Sequence, residues 1–425
     1  MKLKICGSIL LGASAASAAL PVATVGEMEQ DPVSSRVRVP YTLTSGADAC
    51  IVTVDVKTNS PSGYVSIGGG MLTTLWGDVN RRIPAGGGGK TVYWNPASAG
   101  FAGKLDDLKV EISVWPTNSP PDYMVLDLSG LKNHRFYPEA EQIPHSVTND
   151  IYKTDYLVMR KIPAAGVTWR MGAGAYESPL SSDNSLHLVT LKEDFYLAIY
   201  EMTIGQMRAI GHNDVVRDWS QLKDRENSNV LPVDGTSWYN IRFSSDWPQQ
   251  GHVFGQYTYF NALRNKVGNI LFDLPTEAQW EYACRAGTKT KYHNGDNYGL
   301  DSLGWYNANC TNALTNAAEP HPVGMKDANA WGLFDMLGNM REWCLDYYRK
   351  DYGLSAEDYD DENFNGPTSP DSGLSQHSNE RVLRGGSFKN NSLDVKSAAR
   401  SWGPASSTGN IDVGFRLWCP AVYPL

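Results

Sequence analysis

Residues 288–425 constrain the fold most. They show little helical or strand periodicity, yet they are dense in Gly, Asn, Trp and Tyr. A segment this aromatic has surface to bury and is not disordered. It is not a stack of regular helices or strands either, because neither the 3.6- nor the 2-residue period runs through it. What remains is irregular, loop-rich backbone. Such backbone needs an ordering device besides helix and sheet, and bound metal or disulfides are the usual ones.

The framework lies upstream. Residues 27–127 read as an all-β unit. "RVRVPYTL", "CIVTVDVKT", "KTVYWNP" and "LKVEISVWPT" alternate apolar and polar residues, as strands covered on one face do. The turn clusters "TSGAD", "NSPSG" and "PAGGGG" separate them. Short strands at this spacing predict a β-sandwich. The glycine runs at Gly68–Gly70 and Gly86–Gly89 lack the Lys-Ser/Thr of a phosphate loop and are turns. Residues 128–150 show no period and are expected to be a linker. A second unit then spans 151–425. It begins with strands and a short helix starting near Thr203 or Gly205. "FGQYTYFNALRNKVG" predicts a helix stopped by Gly268, and Thr276 with Gln279 forms a capping box for another that Gly287 closes.

The formal charge of −9 without a compensating Lys/Arg run excludes a general nucleic-acid role. "MKLK" followed by a short apolar run and "ASA" at Ala16–Ala18 predicts a signal peptide over residues 1–18. A retained anchor is the alternative. Cleavage leaves an exported protein, secreted or periplasmic, with no membrane anchor. Five cysteines then remain, Cys50, Cys284, Cys310, Cys344 and Cys419. An odd count leaves at least one unpaired within the chain. Without CxxC or a close Cys/His set, no zinc site is expected.

Seven ordered blocks carry a resemblance: "FYLAIYEMTIGQM", "PVDGTSWYNI", "DLPTEAQWEYACRAGT", "HPVGMKDANAWGLFDMLGNMREW", "RVLRGGSF", "AAR" and "GFRL". Together they resemble the formylglycine-generating enzyme, or sulfatase-modifying factor, family over most of residues 155–420. The resemblance implies a C-type-lectin-like domain of mixed α/β structure, so the fold class is α+β: a β-sandwich followed by this loop-rich domain. The family's oxidases use oxygen and a copper(I) ion held by two cysteines to convert the cysteine of a sulfatase C-x-P-x-R segment to formylglycine. A soft d¹⁰ ion requires thiolates. Here Asn390 stands where the first of those cysteines is expected, and the second has no counterpart. Ser387 is what remains of the pattern. No copper is expected, with a pair recruited from Cys284, Cys344 and Cys419 as the alternative to one disulfide or buried thiols at those positions.

"FDMLGNMREW" offers hard oxygen donors: carboxylates at Asp335 and Glu342, and carbonyls at Gly338 and Met340. Oxygen ligands of this kind suit calcium, and the resemblance implies the same four positions. Asn309 is carried over to a second such site. The alternative is a solvated Asp and Glu around a tight turn.

The eight histidines form no ligand pattern, and His321 is expected to support a loop. Glu277 and Glu281, four apart on one helix, resemble a catalytic pair, but the family uses that helix structurally. Arg384, Arg400 and Arg416 are expected to anchor loops through bidentate hydrogen bonds. Asp394 reads as a solvated acid. Trp402, Asn390 and Asn391 have the aromatic and amide character that suits glycan or peptide binding. The resulting expectation is a non-oxidase, a pseudoenzyme that binds an exported protein, a peptide or a glycan through a calcium-stabilised surface. The alternatives are an oxygen-dependent oxidase and an extracellular structural module with an adhesive sandwich.

Overall fold

A computed structural model describes residues 21–44, 49–84, 88–101, 107–174, 177, 185–211, 228–242, 257–268, 270–311, 317–350, 379–406 and 410–422. The expected signal peptide lies outside these residues. The chain divides into two units. One comprises Met1–Val125, His134–Asn149 and Ala421–Leu425, the other Leu126–Asn133 and Asp150–Pro420.

In the first unit nine strands form two sheets. They are β1 (Ala23–Val25), β2 (Glu29–Gln30), β3 (Val37–Leu43), β4 (Ala49–Ser60), β5 (Gly63–Ser66), β6 (Trp76–Gly77), β7 (Arg81–Pro84), β8 (Lys90–Trp94) and β9 (Leu108–Trp115). The first sheet runs β1-β3-β8-β6 with β2 also on β3; in the second, β4 is flanked by β9 and by β5 and β7. Alternation decides which side chains meet. Val39, Val52, Val54, Val92, Trp94 and Val110 point inward and form one core, as a sandwich requires.

The stretch expected to be a linker is divided between the units. Residues 126–133 belong to the second and 134–149 to the first. The latter contains β11 (Arg135–Tyr137), antiparallel to β10 (Tyr123–Asp127). Phe136 donates its amide to Asn80 O at 2.8 Å, and Arg135 donates to Val79 O at 3.2 Å. A strand of three residues is too short to display a period, which is why the sequence suggested none.

The second unit is built from short pieces. Strands β12 (Tyr156–Ile162), β13 (Val167–Met171), β14 (His187–Leu191) and β15 (Phe195–Ala198) precede helices α1 (Ile204–Ala209), α2 (Trp238–Arg242), α3 (Tyr259–Val267), α4 (Glu277–Arg285) and α5 (Leu300–Leu303). Then follow β16 (Gly304–Trp305), β17 (Leu337–Gly338), β18 (Arg341–Tyr347), β19 (Glu380–Arg384), β20 (Arg400–Pro404), β21 (Val413–Gly414) and β22 (Trp418–Pro420). Strand β15 pairs antiparallel with β12 and β22. A four-stranded sheet has the order β20-β19-β18-β21, with β20 at its edge.

The caps follow the sequence. Thr203 and Thr276 each accept from the amide three residues on, and Gln206 and Gln279 return the bond. Thr258 caps α3, and Gly268 ends it at φ 94°. Helix α4 buries Trp280, Ala283 and Cys284. All five described cysteines are buried free thiols. Disulfides therefore do not order the described part of this loop-rich unit, contrary to one of the two devices its composition suggested.

Candidate functional site

A buried chain of ion pairs does that ordering. Glu177 meets Arg285 at 2.7 Å, and Arg285 Nε meets Glu281 at 2.8 Å. The second Glu281 oxygen accepts from Arg384. Arg384 lies 3.5 Å from Glu277, which receives Arg400 at 2.6 and 2.8 Å. Three acids and three arginines alternate, and none of these side chains is more than 5% exposed. Burial opposes ionisation of Glu281, but Arg285 and Arg384 outweigh it and hold its carboxyl below its ordinary range. A seventh and eighth member stand apart: Arg416 clamps Glu342 at 2.6 and 2.7 Å. The arginines of the last blocks thus anchor loops, as their planar forks suit them to do. Glu277 and Glu281 are occupied by cations from β19, β20 and α4.

The segment after β19 is closed by its own side chains. Gly386 turns it at φ 72°, and an added Cβ would lie 2.6 Å from Asp394 O, so only glycine fits. Ser387 is fully buried. Its amide donates to Asn390 Oδ1 at 2.9 Å, and its hydroxyl lies 2.8 Å from the same oxygen and 2.9 Å from Asp412 Oδ2. Asp412 is in turn paired with Arg341 at 3.0 Å. Asn390 therefore works as a cap. One thiol does reach this segment: Cys310 Sγ lies 2.9 Å from Phe388 O and packs with Met340 and Phe388. Burial raises the thiol pKa of Cys310, Cys344 and Cys419, and moves Cys50 up to about 11 and Cys284 up to about 12. At neutral pH these are thiols, not the thiolates that a soft metal takes.

The turn between β17 and β18 brings acids together. Gly338 adopts φ 77°, and a Cβ there would lie 2.1 Å from Trp305 O. Asp335 is buried. Its Oδ2 accepts from Gly324 N at 2.7 Å, and its Oδ1 has no hydrogen-bond partner. Glu201 accepts from Met340 N at 2.9 Å and from Asn339 Nδ2 at 2.6 Å. Glu201, Asp335 and Glu342 interact with one another and share the single guanidinium of Arg416. Lys153 adds a weaker positive field at Asp335. Burial, reinforced by the neighbouring acids, pushes Glu201 well up and Asp335 up to about 6. Among the described residues, no three His, Cys, Asp or Glu side chains converge on one point. A calcium ion here would therefore draw most of its oxygens from carbonyls. Asp335 Oδ1 and the surplus of negative charge fit such an ion. Glu342 fits less well, since Arg416 and Trp280 Nε1 already engage both its oxygens. Asn309 is used within its own turn, accepting from Tyr306 N at 2.8 Å and donating to Gly304 O at 3.0 Å.

His321 stacks on Trp305 at 3.7 Å between centroids and its amide donates to Asn339, so it supports this turn. Asn391 and Asp394 are exposed in the segment after Ser387. Trp402, on β20, is 43% exposed, with Tyr348 6.2 Å away. Sequence reasoning missed Glu201, Arg341, Asp346 and Asp412, and the contact of Cys310 with Phe388. Each is a single polar residue whose partner is distant in the chain.

Residues 159–419 match the family described as the sulfatase-modifying factor enzyme 1-like domain. Among curated proteins, the chain is 31% identical over 206 residues to the chaperone protein LppX of Paenibacillus barcinonensis, spanning 41% of this chain and 69% of that one. It is 34% identical over 155 residues to the formylglycine-generating enzyme of Mus musculus, spanning 34% and 38%. Among solved structures, Treponema denticola variable protein 1 aligns with a TM-score of 0.47 at 24% identity, over 62% of this chain and 95% of that one.

Proposed function

Because the chain belongs to the sulfatase-modifying factor family, we propose that it is an exported non-oxidase member that binds a peptide, glycan or protein partner on its second unit. One observation carries this reading. The amide oxygen of Asn390 is committed to Ser387, at the position where the resemblance of the "RGGSF" block implies a copper-binding cysteine in the family's oxidases. A hard amide oxygen does not replace the soft thiolate that copper(I) takes. The aromatic edge at Trp402, with Tyr348 6.2 Å away, is the binding element. An exposed indole face suits a sugar ring or an extended peptide.

Calcium belongs to the same proposal. Asp335, with carbonyls of Gly338 and Met340 and a share of Glu342, would hold it. The ion would neutralise the surplus charge of Glu201 and Asp335 and so fix the turn. It has no part in chemistry.

A second reading, the oxidase, is favoured by the contact of Cys310 with Phe388. The two readings separate in one experiment. Mature protein is given copper(I) and a C-x-P-x-R peptide in air, and the peptide is weighed by mass spectrometry. An unchanged peptide without stoichiometric copper is the expected result. Formylglycine product with bound copper would overturn the non-oxidase reading.

A further inference from the structure

The chain of three acids and three arginines is balanced, and a fourth acid is left over beside it. Asp346 sits in β18 and is fully buried. Its Oδ2 accepts from the amide of Glu277, the first residue of α4, at 2.6 Å. Its Oδ1 has no hydrogen-bond partner. No Lys, Arg or His among the described residues pairs with it.

The groups facing Asp346 come from each neighbouring element. Helix α4 presents Glu277, β20 presents Arg400, β19 presents Arg381, and its own strand carries Cys344. Arg384 of β19 and His187 of β14 face the same acids from farther out. Burial and then Glu277 push the Asp346 carboxyl up to about 7, while Arg400 pulls the other way. Arg400 is also the side chain that ties β20 down. It holds Glu277 with two nitrogens and donates to Arg349 O at 3.0 Å.

We infer that Asp346 is a proton-operated latch between helix α4 and edge strand β20, and that loss of its proton loosens the strand bearing Trp402. With the proton on Oδ1, the carboxyl only caps the helix, and Glu277 is the carboxylate that holds Arg400. When the proton leaves to solvent, a second anion stands beside Glu277 with no cation of its own. Both carboxylates then draw on Arg400, and their mutual repulsion opens the bidentate pair. Strand β20 responds because, among the described residues, it is bonded to a strand on one side only. Its consequence for binding rests on the reading of Trp402 given above. The latch itself does not.

Hydrogen exchange on the ligand-free mature protein tests it, with rates corrected for the intrinsic pH effect. Peptides covering residues 276–285 and 398–406 are expected to lose about fivefold in protection between pH 6 and 8, while those from β12 and β15 keep theirs. D346N should hold protection constant over this range. E277Q serves if D346N does not fold: with the neighbouring anion gone there is no repulsion, and the loss of protection between pH 6 and 8 should disappear. A flat wild-type profile, or a transition that persists in D346N or in E277Q, would overturn the latch. A ligand bound at Trp402 equally well at pH 6 and 8 would overturn its regulatory role alone.

Discussion

Glu281→Ala is the most informative single change. Glu281 is fully buried and accepts from Arg285 Nε at 2.8 Å, from Gly172 N at 2.9 Å and from Arg384. Its loss leaves two guanidinium groups without their shared acid. Breaking a buried pair from one side costs roughly 3–5 kcal/mol, because the remaining charge stays desolvated. Compensation is partial here. Arg285 keeps Glu177 and Gly172 O, and Arg384 keeps the carbonyls of Ser397 and Ala399. The low end, about 3 kcal/mol, is therefore expected. At about 2 °C per kcal/mol for a unit of this size, calorimetry should show the second unit's transition falling by about 6 °C. Glu29→Ala is the control. The Arg38–Glu29 pair has side chains 43% and 65% exposed, and its loss should cost below about 1 kcal/mol. If E281A and E29A shift the melting temperature equally, the buried chain of ion pairs does not order the unit.

Four further outcomes follow. Glu281 is held below its ordinary pKa, so its stabilisation is present above the unfolded value of 4.5 and is lost as pH falls through the lower folded value. Acid unfolding followed by fluorescence should accordingly be steeper in the wild type than in E281Q. Calcium should raise the melting temperature of the mature protein and chelator should lower it, with D335N abolishing the difference. A thiol reagent should find none of the five described cysteines in the native protein and all of them in guanidinium, since each is buried and protonated. Gly338→Ala should cost more than about 2 kcal/mol, roughly 1–3 for the strained left-handed backbone with the clash against Trp305 O added, read as lost soluble yield or a lowered transition.

Local signals in the sequence carried well where one turn of chain decided the outcome. The capping boxes at Thr203 and Thr276 and the stop at Gly268 need only neighbours a few residues away. The sandwich was legible because alternation over five or more residues is a strong signal. Strands of two residues, such as β16, β17 and β21, carry no period. The anchoring roles of Arg384, Arg400 and Arg416 were foreseeable in kind, but their partners were not. Glu281 and Arg384 are 103 positions apart, and nothing local marks the pairing. Asp346 shows the same limit. A lone acid in "EWCLDYY" looks like a solvated strand residue, and only the packed structure reveals that it is buried beside another acid.

The order of those ion pairs along the chain bears on synthesis. Glu177, Glu277, Glu281 and Arg285 emerge from the ribosome well before Arg384 and Arg400. Until Arg384 and Arg400 arrive, Glu277 lacks its cations and Glu281 lacks one of its two, so the burial of α4 is not yet compensated. Contacts this distant form late and together. The second unit should then acquire protease resistance in one step once Arg384 and Arg400 have emerged, and a chain stopped before Arg384 should have none. A unit built this way stays open until its late strands emerge, so its folding is timed by where along the chain the opposite charges lie.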